Sequence, residues 1–191
     1  HRMQERRGKR APGVTAQEGT PAPNSAPVAP PRRAAVSLSV FAAIALGTLA
    51  LDLLTKFWVF RWLDSRGAAA IVPGLNFHLV YNRGALFGMG QGMRPFFVLF
   101  TLLAVAGITW AAATIGRRSL LANVGLALLL GGALGNLYDR IVHAGVRDFI
   151  DMYAGRWHWY TYNVADIAIC AGAAAIILYG FLNPEPDSKR P

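Results

Sequence analysis

Acidic and nucleophilic side chains are scarce in this chain of 191 residues. No glutamate occurs between positions 18 and 185, and the only serines between positions 40 and 187 are Ser65 and Ser119. A zinc protease of the His-Glu-x-x-His type needs a glutamate in this region, so that class is excluded. Ser65 lacks a Gly-x-Ser-x-Gly context, and Ser119 follows the basic pair 117–118. A serine nucleophile is therefore not expected.

Cysteine and clustered histidine are also lacking. Cys170 is the single cysteine, which excludes an intramolecular disulfide and a cysteine-based metal cluster. It lies in an apolar run, and we interpret it as a small buried hydrophobic residue. The histidines His78, His143 and His158 are scattered through predicted loops, and the glycines of 84–92 lack the lysine of a phosphate loop. We expect no metal and no cofactor.

Charge is sparse and segregated. Only 15% of the residues are charged and 54% are hydrophobic, with a mean hydropathy of +0.35, whereas soluble domains carry about 25% charged residues. Each charge-free stretch is close to the roughly 20 residues that a helix needs to cross a bilayer. These stretches are 34–51, 95–116, 119–138 and 167–184. The pattern predicts a polytopic membrane protein with four spans, at about 34–60, 95–116, 119–140 and 164–182.

The net charge of +9 comes mainly from the ends of the chain. Basic residues near membrane spans favour the cytoplasmic side, so we assign both termini and the short loop 117–118 to the cytoplasm and expect no nucleic-acid partner. Residues 1–33, rich in Pro, Ala, Arg and Gly, are expected to form a disordered cytoplasmic extension. Residues 34–183 would form the membrane domain, and 184–191 a short cytoplasmic tail.

The two longer loops, 61–94 and 141–163, would then lie outside. Apolar and polar residues alternate over 75–81, which predicts a short strand. Aromatic residues crowd 157–162, as in the aromatic belt at a membrane interface.

Carboxylates remain as candidates for chemistry. Asp139 ends the third span and Asp166 begins the fourth from the same side. Two carboxylates that share a proton can activate water and protonate a leaving amine. Helix dipoles favour an ionised Asp166 and a protonated Asp139. Asn136 and Asn163 precede these aspartates by three residues and could orient them.

Simpler interpretations stay open at each position. Asn163 could be the N-cap of the fourth helix with Asp166 in its first turn, and Asp139 could form an ion pair with Arg140. Asp52 and Lys56, spaced i and i+4, could support the structure or contact substrate.

The glycine-rich segment 131–135 contains a Gly-x-x-x-Gly pattern. We interpret it as a site of close helix packing.

Five motifs in order resemble the lipoprotein signal peptidases, also called type II signal peptidases. The motifs are DLLTK (52–56), YNRGALFG (81–88), GALGNLYDR (132–140), VRDFID (146–151) and YNVAD (162–166). The resemblance runs from about residue 51 to residue 172 and leaves out the N-terminal 33 residues. It implies a bacterial aspartyl membrane protease with four transmembrane helices and a small extracytoplasmic β-cradle.

The resemblance also implies the substrate and the site. Such enzymes remove the signal peptide from prolipoproteins, just before a diacylglyceryl-modified cysteine, and globomycin is expected to occupy the site. Asp139 and Asp166 match the catalytic aspartates. The supporting or substrate-binding positions match Asn82, Gly84, Asn136, Arg140, Asn163, Ala165, Asp52 and Lys56. The partners would be prolipoproteins and membrane lipids, in the bacterial cytoplasmic membrane.

A non-enzymatic membrane protein, such as a proton-coupled transporter, is the alternative, because buried carboxylates also serve proton relays. A transporter places its charges near the midplane. In this chain the carboxylates crowd one predicted face.

Overall fold

The computed structural model describes residues 37–84, 90 and 92–184. The proposed N-terminal extension and all but the first residue of the proposed tail lie outside these ranges. Four helices are long and apolar enough to span a membrane. They are α1 (Leu38–Leu63), α2 (Arg94–Thr114), α3 (Leu120–Val142) and α4 (Val164–Leu182). The four predicted spans are confirmed, each with boundaries within a few residues.

Local signals explain where the helices begin. Ser37 caps α1, accepting a hydrogen bond from the backbone N–H of Ser39 at 3.2 Å. Pro95 occupies the first turn of α2, where its missing N–H is not needed. A short 3₁₀ turn at Gly116–Arg118 joins α2 to α3, so this connection is as short as the sequence predicts.

Helix α3 is the central helix of the bundle. Of its most apolar segment 56% is buried, against 6–22% for the other three helices. Its glycines let the neighbours approach closely: a Cβ on Gly131 would lie 2.6 Å from the Ala45 carbonyl oxygen of α1, and one on Gly132 would lie 2.6 Å from the Ala165 carbonyl oxygen of α4. The interpretation of the glycine-rich segment as a packing site is confirmed.

The chain between the helices forms a small antiparallel sheet in the order β1-β2-β3-β4. Its strands are β1 (Ala68–Val72), β2 (Leu75–Asn82), β3 (Val146–Ala154) and β4 (Trp157–His158). The strand predicted at 75–81 is confirmed as β2. Edge-to-face packing of Phe77 and Phe149, with ring centroids 5.4 Å apart, joins β2 to β3.

The two ends of the bundle differ in chemistry. Buried apolar residues cluster where α2 turns into α3, and they are Phe41, Ala45, Ala112, Leu126 and Ala127. Most of the buried charged and amide side chains in the described residues gather at the other end, where α3 leads into β3; Asn123, near the start of α3, is an exception. Most of the buried polar groups therefore lie beside the sheet. Cys170 is exposed on α4, so the prediction that it is buried is wrong.

Candidate active site

The start of α4 presents Asp166 through a capping box. Asn163 is the N-cap, and its side-chain oxygen accepts the Asp166 backbone N–H at 3.1 Å. In return, Asp166 Oδ2 accepts the Asn163 backbone N–H at 3.1 Å. The simpler interpretation of Asn163 as a helix cap is therefore confirmed. The second oxygen of Asp166 remains available for other partners.

That second oxygen is bound from α3. Asn136 Nδ2 donates to Asp166 Oδ1 at 2.8 Å. The Asn136 side-chain oxygen accepts from Asn163 Nδ2 at 3.2 Å and from Lys56 Nζ at 3.1 Å. Asn136 thus orients the aspartate of the neighbouring helix, whereas its sequence spacing suggested Asp139 as its partner.

Asp139 is fully buried and tied to two cations. Arg147 donates to Asp139 Oδ1 from Nε at 3.0 Å and from Nη2 at 2.8 Å. Asp139 Oδ2 accepts the Arg147 backbone N–H at 3.0 Å and lies 3.1 Å from Lys56 Nζ. Asp139 therefore contacts the two cations Arg147 and Lys56, whereas its sequence neighbour suggested an ion pair with Arg140.

Asp52 and Lys56 form a fully buried ion pair, with Nζ 2.7 Å from Asp52 Oδ2. Asp52 Oδ1 accepts the backbone N–H of Ala165, in the first turn of α4, at 2.9 Å. A carboxylate is favourable there because the N-terminus of a helix carries partial positive charge. These residues link α1 to α3 and α4. They support the site from within, as one of the two interpretations of the sequence proposed.

A carboxylate that the sequence analysis did not select, Asp148 on β3, also enters this cluster. It is 2% exposed and accepts a hydrogen bond from Asn163 Nδ2 at 2.6 Å. Burial, and next the negative charge of Asp166, raise the pKa of Asp148 to about 7, although hydrogen bonds from Asn163 and Asn82 oppose the shift. Asp148 therefore titrates close to neutral pH, where its protonated form is available, and it shares Asn163 as a hydrogen-bond donor with Asp166.

A signal for Asp148 was present in the sequence. It lies in the VRDFID motif that the resemblance includes, directly before the hydrophobic pair Phe149-Ile150 of a predicted outer segment. Five of the first six residues of β3 are buried in the structure, and an acid in such a strand needs a specific reason to be there. Strand alternation could not reveal this, because a strand buried on both faces shows none.

The other expected supporting residues surround this cluster. Asn82 reaches Asp148, and its side-chain oxygen accepts the Gly84 backbone N–H at 3.0 Å. The Arg140 guanidinium packs over the ring of Phe97 from α2, 5.5 Å from its centroid, and the charges of Asp166 and Asp148 act on it. The predicted site residues therefore converge at one place.

A second polar cluster lies further along the sheet. The Asp151 carboxylate accepts from Asn76 Nδ2 at 3.2 Å and lies 2.9 Å from His158 Nδ1. Burial raises the pKa of Asp151, but the hydrogen bonds from His158 and Asn76 outweigh it, and the net shift is downward. This cluster joins β2, β3 and β4 and contributes to the rigidity of the sheet.

The fold and the cluster define a membrane protein of four spanning helices with a carboxylate–asparagine site where the bundle meets a small sheet. Comparison with known proteins agrees with this class. The family model described as Signal peptidase (SPase) II matches residues 44–182. The chain therefore belongs to the signal peptidase II family and is a protease.

Curated relatives carry the same description. The chain is 41% identical over 153 residues to the lipoprotein signal peptidase of Klebsiella aerogenes, covering 76% of this chain and 90% of that protein. It is 38% identical over 146 residues to the lipoprotein signal peptidase of Serratia proteamaculans, covering 74% and 86%. This chain is a multi-pass bacterial membrane protein.

Two solved structures share the fold, and both are described as bacterial membrane enzymes determined by the in meso method. One has a TM-score of 0.70 at 24% identity and covers 82% of this chain and 96% of its own. The other has a TM-score of 0.67 at 25% identity and covers 80% and 97%.

Proposed function

We propose that this protein is an aspartyl endopeptidase that removes the signal peptide from diacylglyceryl-modified prolipoproteins, cutting just before the modified cysteine. Membership of the signal peptidase II family supports the substrate class. The buried carboxylate–asparagine cluster supports the aspartyl chemistry, and one observation carries it: Asn163 donates to both carboxylates, from Nδ2 to Asp148 and from its backbone N–H to Asp166.

Asp148 and Asp166 are the pair that this geometry favours for water activation. Asp166 has its oxygens oriented by neutral N–H donors, and Asp148 retains a proton near pH 7. The sequence analysis instead paired Asp139 with Asp166. Cationic or backbone donors occupy both oxygens of Asp139, which suits an anchor rather than a proton donor. We assign Asp139 this supporting role.

The proposed reaction uses one water. Ionised Asp166 accepts a proton from that water, and the water oxygen bonds to the scissile carbonyl carbon. Protonated Asp148 donates its proton to the carbonyl oxygen, which gives a neutral tetrahedral gem-diol. The proton on Asp166 then passes to the amide nitrogen, the C–N bond breaks, and Asp148 recovers a proton from the gem-diol. The products are a signal peptide with a new carboxyl terminus and a lipid-modified cysteine with a free amine.

Access from the lipid is the next requirement of this function. The signal helix and the acyl chains of the substrate partition into the bilayer, so the site must open between helices. Helices α2 and α4 both pack mainly against α3, and at the end of α3 the cluster joins Asn136 to Asp166 of α4 while Arg140 contacts Phe97 of α2. Arg140 over Phe97 marks the α2 side of this opening. Membrane lipids and globomycin are the other expected occupants.

The proposed topology follows from charge. With both termini in the cytoplasm, the sheet and the cluster lie at the extracytoplasmic face of the bacterial cytoplasmic membrane. The scissile bond would then lie near the interface, where water is available. Accessibility labelling of single cysteines placed at Ser65 and Ser119 in a Cys170→Ala background tests this: the first should react from outside and the second only after permeabilisation.

The catalytic assignment is tested by cleavage of a diacylglyceryl prolipoprotein with purified enzyme. Asp148→Asn and Asp166→Asn should each abolish release of the signal peptide while the variants stay folded and inserted. In the wild type, globomycin should block release. Asp139→Asn should lower activity together with thermal stability. An active Asp148→Asn enzyme beside a folded but inactive Asp139→Asn enzyme would reverse the assignment in favour of the sequence-based pair.

A further inference from the structure

Arg147 lies directly before Asp148 and is attached to Asp139 at three points. Its guanidinium makes the two bonds to Asp139 Oδ1, and its own backbone N–H makes the third, to Oδ2. Only 8% of Arg147 is exposed, and its guanidinium lies 5.9 Å from the centroid of the Phe60 ring. A planar guanidinium whose two bonds converge on one carboxylate oxygen has little freedom to rotate.

The attachment fixes the first residues of β3 to the last turn of α3. Successive side chains of a strand point to opposite faces, so Arg147 faces Asp139 and α1 while Asp148 faces Asn163 on the other side. Among the described residues, Asp148 accepts hydrogen bonds from Asn163 and Asn82, neither of which lies on α3. The Asp139–Arg147 clamp at the preceding residue fixes its backbone.

The turn between α3 and β3 needs such a clamp. Ala144 has a φ of 57°, in the left-handed region that residues with a side chain rarely adopt. A strained conformation persists only where the surrounding structure enforces it. The bonds from Asp139 to Arg147 close the chain across this turn, from position 139 to position 147.

We infer that Arg147 is a positioning residue for the reaction, which holds Asp148 at its working distance from Asp166 through the clamp to Asp139. The inference rests on the proposed function, because it takes Asp148 as the proton donor. Arg147 does not touch the reacting atoms in this role. Its charge is neutralised by Asp139, so its effect on Asp148 is geometric.

The readout is the pH dependence of kcat/KM. The charged groups facing Asp148 are Asp166 from α4, Arg140 from α3 and Lys56 from α1, and all three are kept. If Asp148 moves into water and away from Asp166, its pKa falls, so activity is lost at a lower pH. If the lost positive charge of Arg147 acted directly on Asp148, the alkaline limb would instead move to higher pH. If the variant only reduced the amount of folded enzyme, activity would fall by the same factor at every pH.

The test compares Arg147→Met with Arg61→Met on a diacylglyceryl prolipoprotein. Arg61 is the matched control, because it lines the same cavity of about 290 Å³ beside Arg147 but is exposed. Arg147→Met should lower kcat/KM about 100-fold, as expected for a catalytic group displaced by about 1 Å. The alkaline limb of its kcat/KM profile should move to lower pH by about one unit, which is a typical size for a pKa shift caused by a change in a group's surroundings. Arg61→Met should match the wild type.

Arg147→Lys keeps the charge but not the two guanidinium bonds to Asp139 Oδ1, so it should fall between wild type and Arg147→Met in both rate and pH limb. It also provides the test if Arg147→Met does not fold. The inference is overturned if either folded variant keeps the wild-type kcat/KM and pH profile. It is also overturned if the alkaline limb moves to higher pH, or if kcat/KM falls by the same factor at every pH. Asp148→Asn distinguishes the two proposals: if it stays active, both fail, and if it is inactive while Arg147→Met is normal, only the inference fails.

Discussion

Removal of the Lys56 ammonium is the change that most directly tests how the buried cluster is held together. Lys56 is fully buried and lies within 3.1 Å of oxygens on Asp52, Asn136 and Asp139. In Lys56→Met, the Asp52 carboxylate keeps only its hydrogen bond from the Ala165 backbone N–H, and the Asp139 carboxylate keeps only its bonds from Arg147. One carboxylate is thus left buried without a cation.

The expected cost follows from this uncompensated charge. Breaking a buried ion pair by removing one partner destabilises a protein by about 3–5 kcal/mol. For a chain of this length, that corresponds to a fall in Tm of about 6–20 °C. The measurement is thermal unfolding of the purified protein in detergent.

A double variant separates charge from packing. Asp52→Asn with Lys56→Met removes both charges of the pair and leaves Asp139 with Arg147. It should recover at least about half of the lost stability, because no unpaired charge remains. A Tm for Lys56→Met within about 2 °C of the wild type, a shift of less than about 1 kcal/mol, would refute this account of the cluster. A double variant no more stable than Lys56→Met would show that packing dominates.

Two further predictions concern helix packing and pH. Gly135→Ala should cost about 1–3 kcal/mol in thermal unfolding, because its Cβ would overlap the Asp52 carboxylate, whereas Gly47→Ala, with open space around it, should be neutral or slightly stabilising; equal effects would contradict the close approach. The Asp148 pKa is raised from 3.8 to about 7, so wild-type stability should fall relative to Asp148→Asn as pH rises through this window, with a slope of at most about 1.4 kcal/mol per pH unit. Parallel stability curves for the two proteins would contradict a buried, protonated Asp148.

The spans could be predicted from the sequence because a run of about 20 uncharged residues has one main interpretation. The helix start at Asn163 was also readable, since a cap and its partner three residues later are local. Most of the supporting residues came from motifs, and the structure places them together. Local patterns were sufficient for the capping box of α4 and for the Asp52–Lys56 pair, whose partners lie within about one turn of each other.

The site's internal bonding could not be predicted, because it depends on contacts between elements. Asn136 reaches Asp166 across 30 positions, and Asp52 reaches the Ala165 N–H across 113. The i, i+3 spacing of Asn136 and Asp139 suggested a bond within one helix, yet Asn136 bonds to the other aspartate. Asp148 was passed over because its strand is buried on both faces. Cys170 was misplaced because an apolar span does not show which face is covered by protein.

Charge balance gives an independent reason to separate the roles of the aspartates. The cluster contains four carboxylates, on Asp52, Asp139, Asp148 and Asp166, and three cations, on Lys56, Arg140 and Arg147. A site beside the hydrocarbon core is most stable when its charges cancel, so one carboxylate must hold a proton. Asp52 and Asp139 are paired directly with cations at 2.7–3.1 Å, whereas Asp148 and Asp166 accept hydrogen bonds from the neutral N–H donors of Asn163 and Asn136. The proposed aspartyl mechanism places the proton on one of the remaining two, because it needs one proton shared between its two reacting carboxylates. In that mechanism, the protonation state that makes the buried cluster neutral is also the state that the reaction requires.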